Sequence, residues 1–428
     1  MSTSSPTTAR MTSDEPARKP GSVWPAAIAS RPARRLLTRL LRGVCCGSLA
    51  IELPNGQRVE ACGAAPGPHA GVVLRRWRTL ARLVLRGDIG LAQAYRDGDW
   101  SSPDLVALLE FGIRNEAACH GLADAPWPAR MLFRILHRMR GNTRSGSRKN
   151  ISFHYDLGNG FYGHWLDPEM TYSSALYESA NTAPTQSLEE AQAAKLDRVI
   201  ELLELEGVAG TPRVLEIGCG WGALALAMAE RHRAQVTGVT LSAEQLAFAQ
   251  RRVAAEGMSG RIDLRLQDYR DVEGTYDRIV SIEMLEAVGE AYWPQYFQTL
   301  RERLSPGGVA VIQVITIGEE HFDHYRRNAD FIQRFIFPGG MLPSVTAMHE
   351  QAVRAGLSMR TEESFGMGYA QTLVEWRRRF LQAWPAIEML GFDLKFRRLW
   401  EYYLCYCEAG FRAGRVNVGI YTLTHARE

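Results

Sequence analysis

The chain has almost no net charge: its 428 residues carry 50 Lys and Arg against 47 Asp and Glu, a formal +3. That balance is too even for a protein built to hold nucleic acid, and no DNA- or RNA-binding motif accompanies it. It lacks CxxC pairs as well. The seven cysteines (Cys45, Cys46, Cys62, Cys119, Cys219, Cys405 and Cys407) are scattered and odd in number, the pattern of reduced cytosolic thiols. Cys405 and Cys407 are two apart in a helical stretch, where such side chains diverge, so no metal site is expected. Long apolar runs are also missing. GGVAVIQVITIG at 307–318 falls well short of the roughly 18–20 residues of a membrane span, and reads as a buried strand. The N-terminus has no apolar h-region of a secretory signal.

What positive charge there is sits early. Residues 1–42 carry eight Arg or Lys against Asp14 and Glu15 in a Ser, Thr, Pro and Ala background, which reads as a disordered basic tail (1–35) rather than a transit peptide. A small α+β domain is expected over 36–140: PNG in GSLAIELPNGQRVEACG marks a hairpin, and Ser102, Pro103 and Asp104 start a helix. MLFRILHRM at 131–139 puts Met131, Leu132, Ile135, Leu136 and Met139 on one helical face, and residues 125–155 hold seven Arg or Lys and no acid. Such a stretch suits an anionic lipid surface and equally an ordinary solvated helix face. GNTRSGSRKN at 141–150 reads as a linker, and 151–428 as the catalytic domain.

From about residue 185 helix and strand alternate, through RVLEIG, QVTGVTLS, RIDLRLQDYR, YDRIVSIEML and VAVIQVITI. The fold class expected is α/β, a doubly wound, mostly parallel Rossmann-like sheet with its ligand at the carboxyl ends of the strands. VLEIGCGWGALALA at 214–227 carries Gly218, Gly220 and Ala223, a loose dinucleotide fingerprint that is weak by itself. Its neighbours argue against a pyrophosphate. Glu216 stands at the strand end, where it would repel a phosphate and attract a cation. The next strand ends in Val239, Thr240, Leu241 and Ser242, with no acid for a ribose. The one after ends in Gln267, Asp268 and Tyr269, suited to bind and stack an adenine. A cationic adenosine ligand, S-adenosylmethionine, fits this set, the glycines allowing close backbone approach.

These residues also carry a family resemblance. NISFHYDLGNGFYGHWLDPEMTYSSALY, RVLEIGCGWGALA, VTGVTLSAEQ, LQDYRD, YDRIVSIEMLEAVG, FIFPGGMLPS and MGYAQTLVEWRRRFLQAW resemble, in order, segments of the cyclopropane-fatty-acyl-phospholipid synthase family, which includes the mycolic-acid cyclopropane synthases. GLAQAYRDGDW resembles the small domain of its longer members. The resemblance implies a class I methyltransferase in which Tyr172, Ser173, Gly218, Gly220, Thr240, Leu241 and Gln245 contact the methyl donor, with Asp268 and Tyr269 near the adenine. It further implies methyl transfer to a cis double bond of an unsaturated phospholipid acyl chain at the inner face of the membrane, then proton loss that closes a cyclopropane. A homodimer follows from the same resemblance.

Such chemistry needs an apolar groove, aromatic faces that tolerate a cation, and exclusion of water. Phe153, Tyr155, Phe161, Tyr162, Trp165, Phe331, Phe335 and Phe337 are the candidates, many of them core, with Tyr155 the foremost for the groove. The family is understood to hold a bicarbonate as base. Carried over, its pocket falls on Glu286, Tyr369 and the backbone of Ile315, while Ser174 stands for a Cys and Gln313 for a His. Ser and Gln still donate hydrogen bonds to an anion but do not titrate near neutrality. The alternatives left open are a methylene or methyl branch instead of a ring, a soluble small-molecule methyltransferase, and a lipid-binding scaffold without turnover.

Overall fold

The computed structural model describes residues 37, 41–116, 157–178, 186–328 and 330–426. The basic tail, the 131–139 stripe, the linker at 141–150, Phe153 and Tyr155 lie outside them.

The PNG turn joins β1 (Cys46–Glu52) to β2 (Arg58–Cys62) as an antiparallel pair. The chain returns as β3 (Ala65–Leu74), parallel to β1, and β4 (Trp100–Ser101) completes a sheet of order β2-β1-β3-β4. Asp104 caps the helix Leu105–Arg114 by accepting from the Ala107 N–H at 2.9 Å. The helix Arg78–Arg96 breaks at Gly87, whose φ of 59° only glycine adopts freely. This region does not close a core of its own. Tyr95 and Trp100 pack on Tyr402 of the helix Leu394–Arg412, with Tyr95 5.6 Å from Tyr402 between ring centroids, so this sheet with its helices and the C-terminal helix share one hydrophobic interior.

The second sheet has seven strands in the order β10-β11-β9-β8-β5-β6-β7, taking β5 as Arg213–Ile217, β6 as Gln235–Thr240, β7 as Ile262–Leu266, β8 as Tyr276–Ile282, β9 as Leu304–Ile317, β10 as Leu357–Ser364 and β11 as Val416–His425. Strands β5 to β9 are parallel. The chain winds outward from β5 to β6 and β7, then returns to β8 on the other side, which opens a crevice above the carboxyl end of β5. Two strands that the alternation does not announce, β10 and β11, close the far edge, with β11 antiparallel to both neighbours.

Phe161, Tyr162 and Trp165 are fully buried and edge-packed against one another and Trp400, so they serve as core rather than groove. Phe331 packs on Tyr402 and Phe335 on Phe331. Phe337 lines an apolar cavity. Among the described residues no helix is long and apolar enough to cross a membrane, and no cluster of His, Cys, Asp and Glu is placed to hold a metal.

Candidate active site

The crevice at the end of β5 is a cavity of about 180 Å3. Its walls include Tyr172, Ser173, Glu216, Gly218, Gly220, Thr240, Leu241, Gln245, Asp268 and Tyr269, the whole set expected to meet the donor. Gly218, Gly220 and Gly222 all have positive φ (85°, 51° and 88°), so the chain doubles back tightly before the helix Ala223–His232. A Cβ on Gly220 would project into open space. Thr240 donates to Gln245 Oε1 at 3.2 Å and accepts from the Ser242 N–H, while Ser242 caps the following helix. Asp268 lines this cavity beside Tyr269 and also carries an ion pair. Arg270 grips it at 2.6 Å, both side chains being nearly inaccessible, and Asp268 also caps the short turn Tyr269–Asp271.

Glu216 is 4% exposed and its Oε2 has no partner among the described residues. Burial drives its pKa up to about 8, against the pull of Lys195. That lysine was not anticipated. It sits on the apolar face of the helix Leu188–Leu202, is buried, and donates to Ser173 Oγ at 2.7 Å. Burial pulls its ammonium down to about 8, while Glu283, Asp167 and Glu216 hold it up.

A second, apolar cavity of about 540 Å3 lies beyond this one, within the range of about 300–1,000 Å3 typical of ligand pockets. Ile51, Leu80, Leu91, Trp100 and Leu109 wall it from the N-terminal side, and Ile315, Phe337, Tyr369, Leu373 and Tyr402 from the other. Tyr172, Glu283 and Ala287 belong to the walls of both cavities.

The groups expected to hold a bicarbonate do converge here, but the donors among them are taken by protein carboxylates, one of which is Glu286 of the expected set itself. The Ser174 backbone N–H and Gln313 Nε2 each donate to Glu283 Oε1 at 2.8 Å, and the Tyr369 hydroxyl donates to Glu283 Oε2 at 2.8 Å. The Ile315 N–H donates to Glu286 Oε1. The Ser174 hydroxyl, expected to face an anion, turns instead to the Ala175 carbonyl at 3.1 Å. The donors are thus spent, and the arrangement does not fit a bicarbonate among them. Burial pushes Glu286 up to about 8, with Glu283 adding to the shift; burial also raises Glu283, opposed by the Ser174, Tyr369 and Gln313 hydrogen bonds and by Lys195.

Sequence reasoning passed over Glu283, although it follows β8 just as Glu216 ends β5. The positional rule that singled out Glu216 applies to SIEML equally. Trp221, whose Nε1 donates to Asn159 Oδ1 at 2.6 Å, and Arg270 also line the donor cavity without having been anticipated.

The mycolic acid cyclopropane synthetase family model matches residues 142–420. The tuberculostearic acid methyltransferase UfaA1 of Mycobacterium tuberculosis is 39% identical over 95% of this chain and 93% of its own. The cyclopropane-fatty-acyl-phospholipid synthase of Escherichia coli K12 is 37% identical over 85% of this chain and 90% of its own. Among solved structures, the mycolic acid cyclopropane synthase CmaA1 complexed with SAH and CTAB is 30% identical with a TM-score of 0.59, covering 64% of this chain and 97% of that one. A cation-seeking carboxylate above a parallel sheet, an apolar chamber beside it and these likenesses agree: the chain belongs to the mycolic acid cyclopropane synthetase family of S-adenosylmethionine-dependent lipid methyltransferases.

Proposed function

We propose that this protein transfers the methyl group of S-adenosylmethionine to the cis double bond of an unsaturated phospholipid acyl chain and closes the product to a cyclopropane. The observation that carries the reading is the shared wall. Tyr172, Glu283 and Ala287 face the donor cavity on one side and the 540 Å3 apolar cavity on the other, so a methyl and an alkene brought from opposite sides meet there. Glu216 pairs with the donor's cationic amino-acid end. The hydrocarbon walls keep out water that would trap a carbocation as an alcohol, and Tyr172, Tyr369 and Tyr403 present ring faces or edges to it.

The lipid is reached from a cytoplasmic bilayer surface, by a homodimer as the family resemblance implies. Leu85, 61% exposed, and the exposed Val84 lie on the helix Arg78–Arg96 that also sends Leu80 and Leu83 to the cavity wall, in a sequence segment that carries Arg75, Arg76 and Arg86, a combination suited to anionic lipid. A second reading, a methylene or methyl branch, draws support from the 39% identical relative named as a tuberculostearic acid methyltransferase. Incubation with labelled donor and dioleoyl phospholipid vesicles, followed by mass spectrometry before and after hydrogenation, separates the two. Ring and methylene products both gain CH2, and only the methylene takes up hydrogen. No label in lipid would refute the substrate assignment.

A further inference from the structure

The pocket leaves a question that the family's chemistry does not answer: a proton must leave the new methyl group, and the donors expected to hold a bicarbonate base are engaged by Glu283 and Glu286. We propose that the side-chain carboxylate of Glu283 is itself the base, built into the chain in place of a bound anion.

Three independent observations converge on Glu283. Its location is right: it lines both cavities and so touches the place where donor and alkene meet. Its hydrogen bonding is that of an oriented anion. Oε1 receives the Ser174 N–H and Gln313 Nε2, and Oε2 receives only the Tyr369 hydroxyl among the described residues, so one of the four carboxylate lone pairs stays open, on Oε2. Its backbone is under strain. Glu283 has φ 49°, a conformation that favours glycine, and is pinned by its own N–H to the Gln313 carbonyl at 2.8 Å. A side chain kept at a position where glycine would be more comfortable is characteristic of functional sites. Lys195 behind it favours the charged form, and burial strengthens it as a base.

The step balances, on the methyl-transfer reading above. The alkene π pair forms the new C–C bond as the C–S bond breaks, leaving S-adenosylhomocysteine and a cation on the neighbouring carbon. A C–H bond of the new methyl then breaks. Its electron pair closes the ring, or, after a hydride has moved between the two former alkene carbons, forms the methylene double bond. The proton passes to Glu283 Oε2 in either case, and is lost to solvent once the lipid departs.

The test uses the full-length protein, labelled S-adenosylmethionine and dioleoyl phospholipid vesicles, in decarbonated buffer and with bicarbonate added. Wild-type turnover is expected to be the same in both. Glu283→Gly relieves the positive φ and removes the carboxylate, and should lower turnover at saturating donor by at least about 100-fold, the low end of what a general base contributes. Formate or bicarbonate, seated among the Ser174, Gln313 and Tyr369 donors, should restore part of the loss. Wild-type turnover that collapses without bicarbonate, or a Glu283→Gly protein as fast as wild type, overturns the assignment of Glu283 alone. Wild-type protein that labels no lipid overturns the substrate reading and this step together.

Discussion

Replacing Glu216 by Gln separates the cost of its charge from its use. Without donor, the carboxyl is buried with Oε2 lacking a partner among the described residues, and its pKa stands at about 8 against an ordinary 4.5. Between those values the native protein keeps a proton that the unfolded chain has lost, so stability is complete below pH 4.5 and falls as pH rises through 8. From 4.5 to pH 7 is two and a half units at about 1.4 kcal/mol each, a loss on the order of 3 kcal/mol. Gln mimics the neutral acid. Urea midpoints of donor-free wild type and Glu216→Gln should therefore coincide near pH 4.5 and diverge as pH climbs, the wild type falling more steeply because Glu286, also raised to about 8, titrates in both. A cationic donor reverses the preference, adding its charge to that of Lys195 and ionising Glu216 against the cost of burial. Calorimetry in buffers of different ionisation enthalpy should find close to one proton released per donor at pH 6.5 in wild type and none from this carboxyl in the variant. At pH 8.5 the variant should bind S-adenosylmethionine about 10- to 150-fold more weakly, the equivalent of about 1.5–3 kcal/mol for a hydrogen bond to a charged group. Equal affinities at pH 8.5, or proton release that survives in Glu216→Gln, would show that the donor's charge is met elsewhere.

Gly220→Val forces a β-branched residue to φ 51°, costing about 1–2 kcal/mol of backbone strain, and fills the space the donor needs. Calorimetry should detect no donor binding, and wild-type affinity would move the donor out of this crevice. Gly112, on the wall of the apolar cavity with open space where a Cβ would stand, is helical, so Gly112→Leu should gain up to about 1 kcal/mol in helix propensity. Lipid turnover should nevertheless fall while donor affinity holds, and unchanged turnover would place the acyl chain elsewhere.

The parallel strands were legible because they alternate with helices and hold short apolar stretches closed by polar residues, and the donor crevice because its chemistry sits on consecutive strand ends: Glu216, Thr240, Asp268. β10 and β11 were harder to see. LSMRTEES carries an Arg and two Glu on an edge, and charge of that kind reads as loop. Lys195 was hidden by its own amphipathic helix, where a lone lysine looks like a surface residue until the fold covers it. Glu283 was invisible for a different reason. Donors such as Ser174, Gln313 and Tyr369 come from three distant segments, and the list does not reveal whether a free anion or a neighbouring side chain will accept from them; only the folded geometry names the acceptor.

Ile51, Leu80, Leu91, Trp100 and Leu109 all precede residue 142, where the family match begins, yet they wall the chamber that ends at Glu283. On the proposed function, the seven-stranded sheet thus supplies only part of the shelter for the reacting lipid, and these N-terminal residues wall the rest. Changes in those early residues are free to retune which tails fit, or how deep an alkene must lie, while every atom touching the sulfonium stays where it was.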